Sequence, residues 1–310
     1  MKTKHLTFAA LAAMLLFQTS ITQAAQKYSD WSVPVNLGPI VNSAGDDQGP
    51  AVCENGLSLY ITSVLPGGIG GIDMWVSQRA GVEDPWGPPR NLGPNVNSPD
   101  TDGLPAFSRD GHWMFFNSNR PGGFGNFDLW ACWRAHTHDD FGWQPAVNLG
   151  PGVNTASLDC CSSFFENEEA GTPLLYFTRE LVAGDRDIYV SALAADGSFG
   201  PAIIVPELNS LQNDVKPTIR FDGLEIILLS NRTGSLGGND LWSSTRATVF
   251  DAWSPPENLG PVVNTASNDA QPYLSSDGSI LFFASNRPGG FGGLDFYSTT
   301  REKGGGKDKD

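Results

Sequence analysis

The chain has 310 residues, 34 acidic against 19 basic for a formal charge of −15, and only 17% of its residues are charged beside 36 glycines, 22 prolines and nine tryptophans. So acidic a surface repels phosphate backbones and anionic headgroups, which argues against nucleic acid or a membrane surface as partner. The Trp, Gly and Pro content at modest charge argues against a disordered chain and for a loop-rich β protein.

Taken in chain order, the first element is a targeting signal. Lys2 and Lys4 precede the apolar run Leu6 to Phe17, and a polar stretch leads to Ala24 and Ala25. Residues 1–24 therefore read as a secretory signal peptide, too short for a membrane span, and a periplasmic or secreted protein is expected. The first cysteine is Cys53, so nothing at the cut suggests a lipid anchor.

Beyond the signal one unit is written five times. WSVPVNLGPIVNS begins at Trp31, WGPPRNLGPNVNS at Trp86, WQPAVNLGPGVNT at Trp143, a worn FGPAIIVPELNS at Phe199, and WSPPENLGPVVNT at Trp253. Each unit alternates short apolar runs with turn signals. In the last copy QPYLS, SILFFAS and LDFYSTT read as three strands, separated by an Asp-Gly turn and by the loop SNRPGGFGG. The W-x-x-P-x-N-L-G segment supplies a fourth strand. Four short strands at this period predict an all-β, five-bladed β-propeller over residues 25–301. The chain starts with a fourth strand (Trp31 to Leu37) and ends with a third, so the first segment is expected to complete the last blade and leave no open sheet edge. The tail 302–310, EKGGGKDKD, reads as disordered.

The S-x-D-G turn, the SNR after the second strand and the G-G-x-D-L-W into the third resemble the TolB-type, WD-like propeller repeats of bacterial envelope proteins. The resemblance spans nearly the whole mature chain and implies a non-catalytic interaction module that binds an envelope protein or a glycan. Copy 3, CSSFFENEEAGTPLLYFTRELVAGDRD, departs most from the pattern.

In a four-stranded meander the loop entering the first strand and the loop between the second and third lie at one end. That face gathers an Asp from every copy, Asp47, Asp102, Asp159, Asp214 and Asp269, together with the Gly-rich loops and their apolar tips Phe124 and Phe291. It is the expected binding face. The five acids read either as acceptors of backbone N–H bonds or as a ring that takes sugar hydroxyls or a cation, for which Ca²⁺ is the natural choice. Eight residues after each SNR arginine stands another Asp. Arg120 with Asp128, Arg232 with Asp240 and Arg287 with Asp295 are expected to form a structural clasp. The glycine loops are read as architecture, since no helix follows them to make a phosphate cradle.

The alternative is a carbohydrate-active enzyme with acids at the channel mouth. Glycosidases need two carboxyl groups in unequal environments, so a catalyst should sit where one blade departs from the pattern. Asp46 and Asp100 are such departures on the crowded face. His136 and His138 in HTHDD could hold a metal but read more simply as an exposed insertion. Cys53, Cys132, Cys160 and Cys161 admit a bridge from Cys132 to either member of the adjacent pair, or buried thiols.

Overall fold

The computed structural model describes residues 28–166 and 171–304; residues 1–24, expected to be a signal peptide, and 305–310 of the expected disordered tail lie outside the described residues. Five four-stranded antiparallel sheets form the blades of a closed propeller. Blade 1 holds β2 (Gln48–Val52), β3 (Ser58–Ser63), β4 (Asp73–Gln78) and β5 (Arg90–Asn91). Blade 2 holds β6 (Asp102–Phe107), β7 (Trp113–Ser118), β8 (Asp128–Trp133) and β9 (Val147–Asn148). Blade 3 holds β10 (Leu158–Phe165), β11 (Leu174–Val182), β12 (Asp185–Ala192) and β13 (Ile203–Ile204). Blade 4 holds β14 (Asp214–Ile219), β15 (Glu225–Ser230), β16 (Asp240–Thr245) and β17 (Glu257–Asn258). Blade 5 holds β18 (Asp269–Leu274), β19 (Ile280–Ser285), β20 (Asp295–Thr300) and, from the start of the chain, β1 (Val35–Asn36).

The cores lie between blades, and the strand pattern explains why. Successive strand residues point to opposite faces, and in a propeller both faces of every inner blade strand are covered. Ile226 and Leu228 of β15 therefore pack toward blade 3, beside Tyr176 and Ile188. Ile227 and Leu229 of the same strand pack toward blade 5, beside Leu281 and Phe283. This is the reason the middle strands read as unbroken apolar runs rather than as alternation.

Closure is as expected from the order of the repeats. Val35 pairs with Ser298 and Asn36 with Tyr297. The Trp31 ring lies under the Arg301 guanidinium at 4.3 Å. The same stack recurs around the ring, Arg79 on Trp86, Arg134 on Trp143 and Arg246 on Trp253, at 4.2 to 4.4 Å. Each of these arginines also donates from Nε to the glycine carbonyl of its own blade's Asp-Gly or Asn-Gly turn. Third strand, fourth strand and turn are thereby tied at one point. The beginning of the tail is ordered too: Lys303 bridges to Tyr28 and the Glu302 amide donates to Ser29 Oγ.

Candidate functional site

The five repeated aspartates are fully buried, and their oxygens are spent inside the fold. Each accepts the backbone N–H four residues before it, from Ser43, Ser98, Thr155, Ser210 or Thr265. The other carboxylate oxygen takes an arginine or a serine hydroxyl. Arg120 donates to Asp102 at 2.5 Å, Arg287 to Asp269 at 2.5 Å, Arg179 to Asp159 at 2.6 Å, and Arg232 to Asp214. In blade 1 Leu65 stands where the arginine would be, and Ser63 Oγ serves Asp47 instead. Burial pushes the Asp47 and Asp159 carboxyls upward against the pull of these bonds.

The expected clasp is thus corrected. Arg120, Arg232 and Arg287 do not grip Asp128, Asp240 and Asp295; they grip the aspartate 18 residues upstream. Register puts both aspartates opposite one serine, Asp102 and Asp128 opposite Ser118, Asp214 and Asp240 opposite Ser230, Asp269 and Asp295 opposite Ser285, and the guanidinium turns to the first-strand member of each pair. The second set of aspartates holds the glycine loops by a different means. Asp128 accepts the amides of Phe124 and Gly125, Asp240 those of Leu236 and Gly237, and Asp295 that of Phe291. Two glycines are obligatory for different reasons. Gly122 sits at φ +97°, and a Cβ on Gly125 would lie 2.0 Å from the Ser157 carbonyl of the next blade. The tips Phe124 and Phe291 stand about half exposed.

Asp214→Asn should lower stability by about 2 kcal/mol, the scale of a hydrogen bond to a charged group. The check is a shift in urea midpoint at unchanged m-value.

Asp46 and Asp100 are not brought together by any contact. Asp46 Oδ1 accepts the Leu294 amide at the closing seam, and the Asp100 carbonyl accepts the Gly71 amide. His136 and His138 are exposed, and no cluster of three or more His, Cys, Asp or Glu suited to a metal occurs among the described residues. The informative residue of that insertion is Asp140, which turns inward. It accepts from Ser58 Oγ at 2.5 Å, Tyr60 OH at 2.8 Å, Gln78 Nε2 at 2.7 Å and Arg134 Nη1 at 3.0 Å, joining blade 2 to blade 1. Cys132 Sγ faces the Asn95 carbonyl of the seam with blade 1, while Cys160 and Cys161 face each other at 3.0 Å.

The concave spaces near the axis open on the opposite face, that of the Asp-Gly turns. A groove of about 640 Å³ runs between blades 1 and 5 past Trp86, Glu83 and Phe282. Through Cys53, Glu54, Asn55, Phe221 and Tyr273, which border both, it continues into a mouth of about 110 Å³ at the axis. Seven residues after each buried aspartate the blades carry Glu54, Arg109, Glu166, Phe221 and Ser276; Glu54 and Phe221 line that mouth and Ser276 lines the groove. Unlike the aspartates, these five differ from blade to blade. Two are carboxylic acids, on non-neighbouring blades, in unequal surroundings. Glu54 is exposed. Glu166 is half-buried, accepts the Arg109 amide at 3.0 Å, and is pushed upward by burial and, less, by Asp110. Neither was singled out from sequence, yet Glu166 opens the segment of copy 3 that breaks the repeat.

No family model matches the chain, and no curated protein matches it in sequence. Solved structures do. An α-L-arabinofuranosidase from Podospora anserina in complex with cellotriose superposes with a TM-score of 0.60 at 11% identity, over 88% of this chain and 97% of that one. The catalytic domain of a GH62 α-L-arabinofuranosidase from Coprinopsis cinerea gives 0.58 at 13% identity over 88% and 96%. A GH43 endo-arabinanase from Bacillus licheniformis gives 0.58 at 11% over 83% and 94%. At such identity the likeness is one of fold. It corrects the resemblance to TolB-type, WD-like repeats, whose shared words serve the turns and loops of this fold, although blade 3 forms without them. The non-catalytic envelope platform inferred from that resemblance is corrected with it, since these neighbours are glycoside hydrolases.

Proposed function

We propose that the chain is an exported carbohydrate-active enzyme that takes a glycan in the turn-face groove and cleaves it at the axial mouth. The observation that carries this reading is an aromatic-lined groove ending at an axial mouth bordered by the exposed acid Glu54, with the partly desolvated acid Glu166 at the equivalent position of blade 3. Clefts of several hundred Å³ with aromatic walls and a few polar groups suit sugars. Glycoside hydrolysis needs one carboxyl that keeps its proton and one that does not. Glu166, partly desolvated, takes the role of proton donor, and Glu54, open to water, that of base or nucleophile. Arg109 stands between them on blade 2, where its amide holds the Glu166 carboxyl in place. By name the solved neighbours include arabinofuranosidases, an endo-arabinanase and a xylan β-1,4-xylosidase, so arabinan and xylan are the first glycans to offer.

Reducing-end release from this pair of polysaccharides is the test. Glu166→Gln should lower the rate by about 10²- to 10⁴-fold with binding retained, as expected for a general acid. The parent's rate should fall as pH rises through the raised pKa of Glu166, because the donor is then deprotonated. Hydrolysis undiminished in both Glu166→Gln and Glu54→Gln would remove these residues from the mechanism. Neither binding nor cleavage of any polysaccharide by the folded chain would overturn the reading itself.

A further inference from the structure

Two residues after each buried aspartate, midway down the channel, lies a second variable ring: Gly49, Leu104, Cys161, Lys216 and Gln271. All five have left-handed backbone, φ between 51° and 59°, and all five inner strands shift register there. In a regular strand adjacent side chains point to opposite faces. The bulge cancels that alternation in blade 3 and brings Cys160 Sγ to 3.0 Å from Cys161 Sγ.

The surroundings are unusual for a propeller axis. Lys216 is 2% exposed, yet none of the ion pairs among the described residues engages it. Ser162 Oγ and Gln271 Oε1 are buried without a hydrogen-bond partner. Ser162 and Lys216 border an axial cavity of about 20 Å³. That space is the size of one water molecule. Among charged groups, the two thiols are what face Lys216. The Cys160 thiol and Lys216 hold Cys161 below the ordinary thiol range, whereas burial and the hydrogen bond to Cys161 hold Cys160 above it. Desolvation lowers Lys216 itself.

We propose that Cys160, Cys161 and Lys216 form a buried vicinal dithiol site that reduces a water-sized hydroperoxide. The Cys161 thiolate attacks one oxygen of hydrogen peroxide, the O–O bond breaks, and the departing hydroxide takes a proton from the Lys216 ammonium to leave as water. Cys161 is then a sulfenic acid. Cys160 attacks that sulfur, gives up its proton, and displaces the hydroxyl as a second water. The dithiol becomes a disulfide by loss of two electrons and two protons, and the peroxide becomes two waters. Both thiols are less than a tenth exposed, which bars a bulky disulfide such as oxidised glutathione.

The experiment treats the folded chain with hydrogen peroxide, quenches in acid, alkylates the remaining thiols and maps peptides by mass. The peptide carrying Cys160 and Cys161 should lose two hydrogens and escape alkylation, with Cys53 and Cys132 still alkylated. Oxidised glutathione should leave all four unchanged until the chain is unfolded. Cys160→Ser should stop at a sulfenic acid on Cys161 that dimedone traps, and Lys216→Met should slow its formation at least about tenfold at neutral pH. Full alkylation of Cys160 and Cys161 after peroxide overturns the proposal. So does oxidation no faster in the folded chain than in the unfolded one. Both of these readouts use the unaltered chain, so a variant that fails to fold does not spare the idea.

Discussion

Asp140→Ala is expected to lower the unfolding free energy by about 3–5 kcal/mol, the range for removing one partner of a buried ion pair. Asp140 is 2% exposed and Arg134 1%. Deleting the carboxylate orphans four donors at once, from Ser58, Tyr60, Gln78 and Arg134. The guanidinium keeps only the carbonyls of Gly111 and Asp139, the Tyr60 hydroxyl oxygen and a weak contact to Cys53 Sγ. Asp140→Asn should be milder, since the amide oxygen still accepts. Equilibrium urea unfolding is the measurement. A loss under about 1 kcal/mol would place the pair with surface ion pairs and against this account.

The second large effect is expected from removing residues 28–37. Blade 5 would lose β1, and β20 would become an open edge with unpaired amides and carbonyls. The Trp31 stack on Arg301, the Ser32 bonds to Thr299 and Thr300, and the Tyr28 bond to the Asp277 carbonyl would go with it. The loss should reach about 5 kcal/mol, a large part of what a domain of this size holds in reserve. A thermal melt reads it, and a peptide of residues 28–37 added in trans should recover part of the shift. A truncated chain that melts with the parent would mean the ring does not depend on its seam.

The propeller was legible because its determinants are local. Trp31, Trp86, Trp143 and Trp253 recur at blade period, Asp-Gly and Gly-Gly mark turns, and the chain's starting element names its own partner by elimination. Partner choice through space was not legible in the same way. Each SNR arginine has two aspartates within reach along the chain, one eight residues after and one 18 before. Strand register puts both opposite the same serine, as Asp102 and Asp128 flank Ser118, and what separates them is that the second aspartate is taken by the amides of the glycine loop. The arginines ending each third strand in SQR, CWR, STR and TTR were visible as a repeat, but their stack on the next tryptophan depends on a strand connection the sequence does not show. Glu54 and Glu166 were hidden for the opposite reason. They belong to a position defined by not repeating, and a search for self-similarity passes over it. Asp140 escaped notice because HTHDD drew the eye to its histidines, which face solvent.

The closing seam also fixes how the ring would carry load. Tension applied between the two ends of the domain reaches β1 and β20 first, whose ladder is two residue pairs long, plus the ties of Ser29 and Lys303. The other four blades each keep their fourth strand on one continuous stretch of chain and feel little of the pull. The fold is therefore strong against uniform stress and weak against a directed one. Stretched by its ends, it should open like a clasp at one blade, at low force, while the other four still hold their shape.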